Sequence, residues 1–332
     1  MANIFSTKHH PVGELAEIIV TFIQFKRSLG YIYETEEGNL YRFSVFSLDY
    51  EITFREVPLQ LVEDWLTRRR NEKASTQKTR AQVVLQMLEF AGNHGYIVHF
   101  PVVLKRIHVP KYIPYIFTQE ELKQFFYACD HIKPYPGTSR HHIIPVLFRL
   151  IFSCGLRASE AANLKCSGVD LTGDVITIQG GKNDTERLIP LSDSMAKAIK
   201  QFHHRYHANA NNCDYLFKGK YRNKLTRHKI YKWFRICLEA AGIRHLGKGR
   251  GPRLHDLRHS FCVHSLKKMQ QQGIDLYTSL PILSRYVGHS SIKETQHYLR
   301  LTAEFFPDIL EKINKQSQGI IPSVEVNKNE TN

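Results

Sequence analysis

Three prolines, Pro101, Pro110 and Pro114, separate two regions of this chain that differ in hydrophobic pattern. Proline fixes its own φ and pushes the residue before it toward extended backbone, so the stretch that holds them does not continue a helix. Its lysines and arginine make it basic as well. The predicted divisions are a domain at 1–99, a basic linker at 100–116, a second domain at 117–316 and a disordered polar tail at 317–332.

Before the linker, apolar residues recur at helical spacing in four stretches. The third of them ends in Arg68, Arg69 and Arg70, and basic side chains suit the negative end of a helix dipole. The four stretches run from Leu15 to Gly30, from Leu40 to Leu48, from Leu59 to Arg70 and from Ser75 to Gly92. Helices of this length predict a compact bundle.

After the linker the pattern is mixed. Thr118 and Glu121 have the spacing of a capping box, which predicts a helix start. Helical patterns cover 119–130 and 142–153, restart near Ala158, and resume from about Ser194. Between them, short apolar runs and turn residues predict three antiparallel strands, Val169–Leu171, Val175–Gln179 and Arg187–Leu191. The predicted fold class is therefore mainly α with a small antiparallel β-meander.

The charge of the chain favours an acidic partner. Lys and Arg number 46 against 31 Asp and Glu, a formal charge of +15, and all but two of those excess charges lie after residue 112. Such a surplus is typical of nucleic-acid binding, with an ordinary basic surface as the alternative. The six cysteines form no Cys-x-x-Cys pair, and no apolar run is long enough for a membrane span. We expect a soluble cytoplasmic protein.

Five short pieces of the second domain carry chemistry, although each is weak alone. Arg157 fits a surface ion pair with Glu160, three positions on. His255 and Arg258 share a helix face, where two cationic groups are favourable only beside an anion. That pairing indicates a phosphate pocket, with a chance surface arrangement as the alternative. The remaining pieces are Gly181-Lys182, Gly288-His289 and Tyr298.

In this order the pieces resemble the tyrosine recombinase (phage integrase) family. The segments similar to its motifs are SCGLRASEAANL at 153–164, LHDLRHSF at 254–261 and LSRYVGHSSI at 283–292, continuing through TQHY at 295–298. Lys182 lies where the family places a β-hairpin lysine, although Asp184 and Glu186 are close to it. The resemblance implies an N-terminal helical core-binding (SAM-like) domain and a mixed α/β catalytic domain.

The resemblance also implies a catalytic set, which consists of Arg157, Lys182, His255, Arg258, His289 and the nucleophile Tyr298. A tyrosine, with its usual pKa of about 10, attacks an anionic phosphodiester only where positive donors bind the non-bridging oxygens. In the family, the position of His255 takes the tyrosine proton and the position of Lys182 protonates the departing 5′ oxygen. The product is a 3′-phosphotyrosyl bond, so the reaction needs neither ATP nor a cofactor.

Other residues predict contacts with DNA. A basic, aromatic stretch supplies the expected phosphate contacts, with an amphipathic helix as the alternative: Lys218, Lys220, Arg222, Lys224, Arg227 and Lys229. His203 and His207 are spaced like zinc ligands, with His204 between them, but the Glu of HExxH and a third ligand are missing. We therefore predict no metal.

The expected function is site-specific recombination of double-stranded DNA, of the integrase or transposase type, by a homotetramer on paired sites. A last helix near Ala303–Lys315 would be exchanged between protomers through Phe305, Phe306, Ile309, Leu310 and Ile313. Packing of this apolar face on its own domain is the alternative. Two other functions remain open, a type IB topoisomerase and a non-catalytic DNA-binding regulator on the same fold.

Overall fold

A computed structural model describes residues 10–101, 107–110, 112–179, 186–207, 214–219, 223–245, 247, 251–289 and 291–305. The chain divides into two compact units, Met1–Tyr112 and Ile113–Asn332. This division falls inside the stretch predicted as a linker. The predicted tail at 317–332 lies outside the described residues.

The described part of the first unit contains four α-helices, as the periodicity predicted. They are α1 (Ala16–Ser28), α2 (Glu34–Phe46), α3 (Leu59–Leu66) and α4 (Ala74–Gly92). Apolar residues from all four meet in one core, including Phe22, Phe43, Trp65 and Met87, each no more than 1% exposed. Two short strands, β1 (Glu56–Val57) and β2 (Ile97–Val98), pair in parallel, a contact that the sequence did not predict.

The predicted end of α3 is wrong, because the helix stops at Leu66, before the three arginines. Arg80 of α4 is buried and donates to the backbone carbonyls of Trp65 and, at 3.0 Å, Thr67. The same guanidinium pairs with the Glu72 carboxylate at 2.8 Å. The Arg80 guanidinium therefore donates to carbonyls that would accept backbone hydrogen bonds if the helix continued. The backbone of Thr67 is extended, which ends the helix.

We expect Arg80→Leu to destabilise the first unit by about 3–5 kcal/mol, because it removes the buried guanidinium that pairs with the Glu72 carboxylate and donates to two backbone carbonyls. Native-state hydrogen exchange of the α3 and α4 amides measures the loss. Arg70→Leu, at an exposed position in the same loop, is the control and should change protection little. Equal protection in the two variants would contradict this account.

The second unit surrounds a small sheet with helices. Its elements are α5 (Gln119–Asp130), α6 (Arg140–Ser153), α7 (Ala158–Asn163), β3 (Val169–Asp170), β4 (Val175–Ile178), β5 (Arg187–Pro190), α8 (Asp193–His207), α9 (Arg227–Ala240), α10 (Asp256–Gln271), α11 (Leu276–Val287) and α12 (Ile292–Phe305). The predicted capping box starts α5: Thr118 Oγ1 accepts from the Glu121 amide at 3.1 Å, and the Glu121 carboxylate accepts from the Thr118 amide at 2.8 Å. The strands form the predicted antiparallel sheet in the order β3-β4-β5, with Ile176 opposite Ile189.

The last described helix begins earlier than the last predicted one. Helix α12 begins at Ile292, so Tyr298 and residues 303–305 lie in the same helix. The rest of the predicted apolar face, from Phe306 onward, lies outside the described residues. No helix in the described ranges is both long and apolar enough to cross a membrane.

Two apolar clusters position the site. The larger one joins α5, α6 and α9 through Phe125, whose ring centre is 5.6 Å from those of both Phe148 and Phe234. The smaller one joins α10, α11 and α12, and it includes Cys262 and Tyr298. The motif residues therefore lie on helices that pack directly against one another.

Candidate active site

A buried carboxylate lies at the centre of the arginine-bearing motifs. Glu160 of α7 is 5% exposed and contacts three guanidinium groups. Arg157 donates to it at 2.9 Å, and Arg187 of β5 forms two hydrogen bonds with it at 3.0 and 2.8 Å. Arg258 of α10 approaches to 3.9 Å. One negative charge thus holds three positive groups from three different elements in one place.

The pKa of Glu160 is lowered from its ordinary value even though burial alone would raise it. Hydrogen bonds and charge from Arg187, the backbone amide of Arg157 and the charge of Arg258 outweigh the loss of hydration. The carboxylate is therefore ionised at neutral pH, and its negative charge is part of the folded structure.

Arg157 makes the ion pair that its spacing allowed, but it also reaches the last motif. Its Nη2 donates to the carbonyl of Gly288 at 3.0 Å, across 131 residues of sequence. Gly288 ends α11 in the left-handed region, with φ of 68°. A Cβ there would lie 2.8 Å from Nη1 of Arg187, so glycine is needed both for the conformation and for the space.

Arg258 is 1% exposed and holds two helix ends together. Its Nη1 donates to the carbonyl of Gly155, after α6, and its Nη2 donates to the carbonyl of Val287, each at 2.7 Å. Its Nε is buried without a hydrogen-bond partner among the described residues. A buried cation with an unused donor is suited to an anionic oxygen that enters from outside the chain.

The two motif histidines border these arginines. His255 is the residue just before α10, where it is exposed to solvent. Partial loss of hydration and then the charges of Arg258 and Arg157 lower the pKa of His255 to about 4. Burial and Arg258 lower the pKa of His289 to about 4 in the same way, and its Nδ1 lies 2.8 Å from the buried Thr295 hydroxyl. Both rings are therefore neutral before an anion binds.

Tyr298 enters the same site from α12. It is 2% exposed, and its ring lies parallel to that of His289, at 11° and 5.9 Å between centres. Its hydroxyl lies 2.8 Å from Nδ1 of His259. Burial and then Cys262 raise the pKa of Tyr298, so the phenol is protonated at rest.

The structure thus brings together Arg157, Arg258, His255, His289 and Tyr298. Lys182, Lys220 and Arg222 lie outside the described residues. Lys218 pairs with Asp214 at 2.6 Å, and Lys229 lies over the Trp233 ring at 5.2 Å. Lys224 and Arg227 are exposed, and Arg227 is near enough to His255 to contribute to its lowered pKa.

The zinc-like histidine spacing has a structural explanation. His207 is 4% exposed, and its Nε2 and Nδ1 lie 2.7 Å from the Leu216 carbonyl and 3.4 Å from Cys166 Sγ. Both ring nitrogens thus have protein partners. In the part of the chain that the structure describes, no group of three His, Cys, Asp or Glu side chains could hold a metal ion.

Sequence reasoning missed two contributors to this site. Arg187 lies 27 residues from Glu160 in the chain, and no local sequence pattern predicts their contact. His259 had a usable signal, because it follows His255 by four residues and so falls on the same side of α10. Glu160 was considered only as a partner of Arg157, whereas it joins three arginines.

We expect Glu160→Gln to lower the unfolding free energy by about 3 kcal/mol at pH 7, because three buried or half-buried arginines then lose their counterion. The folded pKa is below the unfolded one, so this stabilisation is present above pH ~4.3 and is lost as pH falls through the folded pKa. The gap between wild type and variant should therefore stay constant from pH 7 to 5 and narrow below pH ~4.3, which thermal unfolding at about pH 7, 5, 4 and 3 measures. Glu120→Gln, which removes an exposed pair with Lys123, is the control. A gap that does not change with pH would contradict the prediction.

Comparison with known proteins places this site in a family. Residues 116–304 match the phage integrase family. The Sinorhizobium fredii protein y4rB, an integrase/recombinase by name, is 29% identical over 308 residues, which cover 90% of this chain and 97% of that one. Tyrosine recombinase XerA of Pyrococcus furiosus is 29% identical over 214 residues, covering 64% of this chain and 66% of its own length.

Solved structures show the same fold. A lambda integrase fragment, crystallised as a dimer on a COC′ core site, superposes with a TM-score of 0.64 at 16% identity, covering 85% of this chain and 94% of that chain. The XerH recombinase in a post-cleavage complex with difH DNA gives 0.62 at 19% identity, covering 86% and 79%. The chain belongs to the phage integrase family, and it is a tyrosine-type site-specific recombinase that acts on DNA.

Proposed function

We propose that Tyr298 is the nucleophile that cleaves DNA in this recombinase. The observation that carries the proposal is the meeting, at one site, of a buried tyrosine, two neutral histidines and two arginines, one of which keeps an unused buried donor. These residues come from the position before α7, the start of α10, the turn after α11 and α12, so only the folded chain assembles them.

The chemistry that we propose is a transesterification. The Tyr298 oxygen attacks phosphorus, the bond from phosphorus to the 5′ oxygen breaks, and a 3′-phosphotyrosyl bond forms. Arg157 and Arg258 bind the non-bridging oxygens, where charge gathers in the transition state, and His255 and His289 donate to the same oxygens. Lys182 gives its proton to the 5′ oxygen. Attack of a 5′ hydroxyl on the phosphotyrosine reverses the sequence and rejoins the strand.

Around the site, we propose that Lys224, Arg227 and Lys229 bind DNA phosphates, together with Lys220 and Arg222. Exposure of Lys224 and Arg227, and the position of Arg227 near His255, support this assignment. Lys218 is already paired with Asp214, so we propose that it contributes a weaker contact with DNA phosphates than the other basic residues.

The assembly that we propose is a homotetramer on paired double-stranded sites, with the C-terminal segment exchanged between protomers. Solved relatives in DNA complexes, one of them a dimer, support assembly on DNA. We place the enzyme in the cytoplasm, since the five cysteines of the described ranges are buried free thiols, as a reducing compartment maintains.

A non-catalytic regulator on the same fold is less well supported, because DNA binding alone does not require a buried tyrosine beside two arginines. A type IB topoisomerase shares much of the chemistry. DNA relaxation without paired sites would favour the topoisomerase, whereas strand exchange that requires two sites supports the recombinase.

The first test is Tyr298→Phe on a nicked suicide substrate. The variant should bind DNA as wild type does and form no covalent adduct, because the attacking oxygen is gone. Denaturing electrophoresis detects the adduct, and peptide mapping locates it. Tyr286→Phe, which changes a half-buried tyrosine near the site, is the matched control and should still form the adduct. An undiminished adduct in Tyr298→Phe, mapped to Tyr286, would overturn the assignment.

The second test concerns Lys182. Lys182→Ala should fail on ordinary DNA and recover on DNA with a 5′-bridging sulfur, a leaving group that needs no proton. Single-turnover cleavage rates on the two substrates give the comparison. Lys224→Ala is the control, and its smaller loss should be the same on both. An equal loss for Lys182→Ala on both substrates would assign the acid to another residue.

A further inference from the structure

Two histidines at the N-terminal end of α10 lie next to one another, and the second is also next to Tyr298. His255 precedes the helix and His259 lies one turn later, with ring centres 4.7 Å apart. Nδ1 of His259 is 2.8 Å from the Tyr298 hydroxyl, and the two ring centres are 5.6 Å apart. Nδ1 of His259 is therefore within hydrogen-bond distance of the proposed attacking oxygen, and the ring of His255 contacts the ring of His259.

We propose that His259 holds the Tyr298 hydroxyl and takes its proton as that oxygen attacks phosphorus. This inference rests on the proposed role of Tyr298. It assigns to His259 the proton transfer that resemblance to the family assigned to His255. The imidazole carries its own proton on Nε2 and accepts at Nδ1, so the hydroxyl donates along the 2.8 Å contact.

The step balances without any further reactant. The Tyr298 O–H bond breaks and its proton passes to His259, which becomes imidazolium. The new oxygen–phosphorus bond forms as the bond to the 5′ oxygen breaks, and that oxygen takes a proton from the general acid. In the reverse step the 5′ hydroxyl attacks and His259 returns its proton to Tyr298.

The surroundings of His259 explain why the proton moves only when DNA is present. The groups around it are His255 before α10, Arg258 on α10, His289 before α12, and His297 and Tyr298 on α12, and Cys262 of α10 lies near Tyr298. Burial and then His255, Arg258, His297 and His289 lower the pKa of His259 to about 3, so the free enzyme has a weak base beside a protonated tyrosine. A bound phosphodiester brings a negative charge next to Arg258 and these histidines, which raises the pKa of His259 and strengthens it as a base.

Two substitutions separate proton transfer from simple positioning. In His259→Asn the side-chain amide replaces Nδ1 as a hydrogen-bonding group but takes no proton, whereas His259→Ala removes both functions. Both should slow single-turnover adduct formation at saturating DNA by ~10²–10⁴-fold at pH 7, the usual contribution of a general base. The rate of each variant should then rise with pH as hydroxide takes over. His297→Asn, which removes an exposed neighbouring histidine, should change the rate by less than about threefold.

The decisive measurement replaces Tyr298 by 3,5-difluorotyrosine, whose more acidic hydroxyl needs less help from a base. Most of the His259→Asn defect should disappear in that background, while thermal unfolding and DNA binding stay as in wild type. A defect of the same size with both tyrosines would overturn the proton-transfer role. So would a His255→Asn variant that shows the fluorotyrosine rescue when His259→Asn does not.

The same experiment distinguishes this inference from the proposed function. If Tyr298→Phe still forms the adduct, the nucleophile is another residue and the proposed function fails. If Tyr298→Phe forms none and His259→Asn reacts at the wild-type rate, Tyr298 remains the nucleophile and only the role of His259 is wrong.

Discussion

The site depends on one buried negative charge. Arg157, Arg187 and Arg258 would repel one another at this distance, and burying guanidinium groups without a counterion is strongly unfavourable. Glu160 offsets this cost through hydrogen bonds of 2.8 to 3.0 Å to two of them and an approach of 3.9 Å by the third. Because three positive charges surround one negative charge, the cluster stays cationic and suits a phosphodiester.

Carbonyl groups at helix ends complete this arrangement. Arg157 donates to Gly288, after α11, and Arg258 donates to Gly155, after α6. Both glycines have positive φ, 68° for Gly288 and 58° for Gly155. Each lies in a different motif from the arginine that donates to its carbonyl. The motif glycines therefore do more than end helices, since each exposes a carbonyl that orients a cationic side chain. A shift of either helix end would move an arginine away from the site.

The reactive groups are held in unreactive protonation states. Burial keeps the Tyr298 phenol protonated, and burial together with nearby positive charge keeps His255, His259 and His289 neutral. An anion that enters the cationic pocket raises the pKa of the histidines, so they bind protons more readily, whereas Tyr298 stays a protonated phenol until a base takes its proton. A phosphodiester is thus both the substrate and the charge that prepares the site for reaction, which limits cleavage to bound DNA.

Local interactions made much of the fold predictable. The capping box at Thr118, the helical periodicities and the turn that joins β3 to β4 all depend on residues at most four positions apart, so they are visible in the sequence itself. The end of α3 was not predictable in this way, because Arg80 of α4 donates to the carbonyls of Trp65 and Thr67. The pairing of β1 with β2 was not predictable from local sequence either, since about forty residues separate the two strands.

The sequence by itself determined which residues are candidates for the chemistry and in which order they occur, because motifs such as GLRASE and HDLRH are recognisable when they are taken together. Only the tertiary structure decided how those residues act together. Arg258 meets Gly155 across 103 positions, Arg187 meets Glu160 across 27, and His259 meets Tyr298 across 39. Contacts of this kind form when helices pack and exclude water, and packing depends on the whole apolar surface of each element rather than on any local pattern.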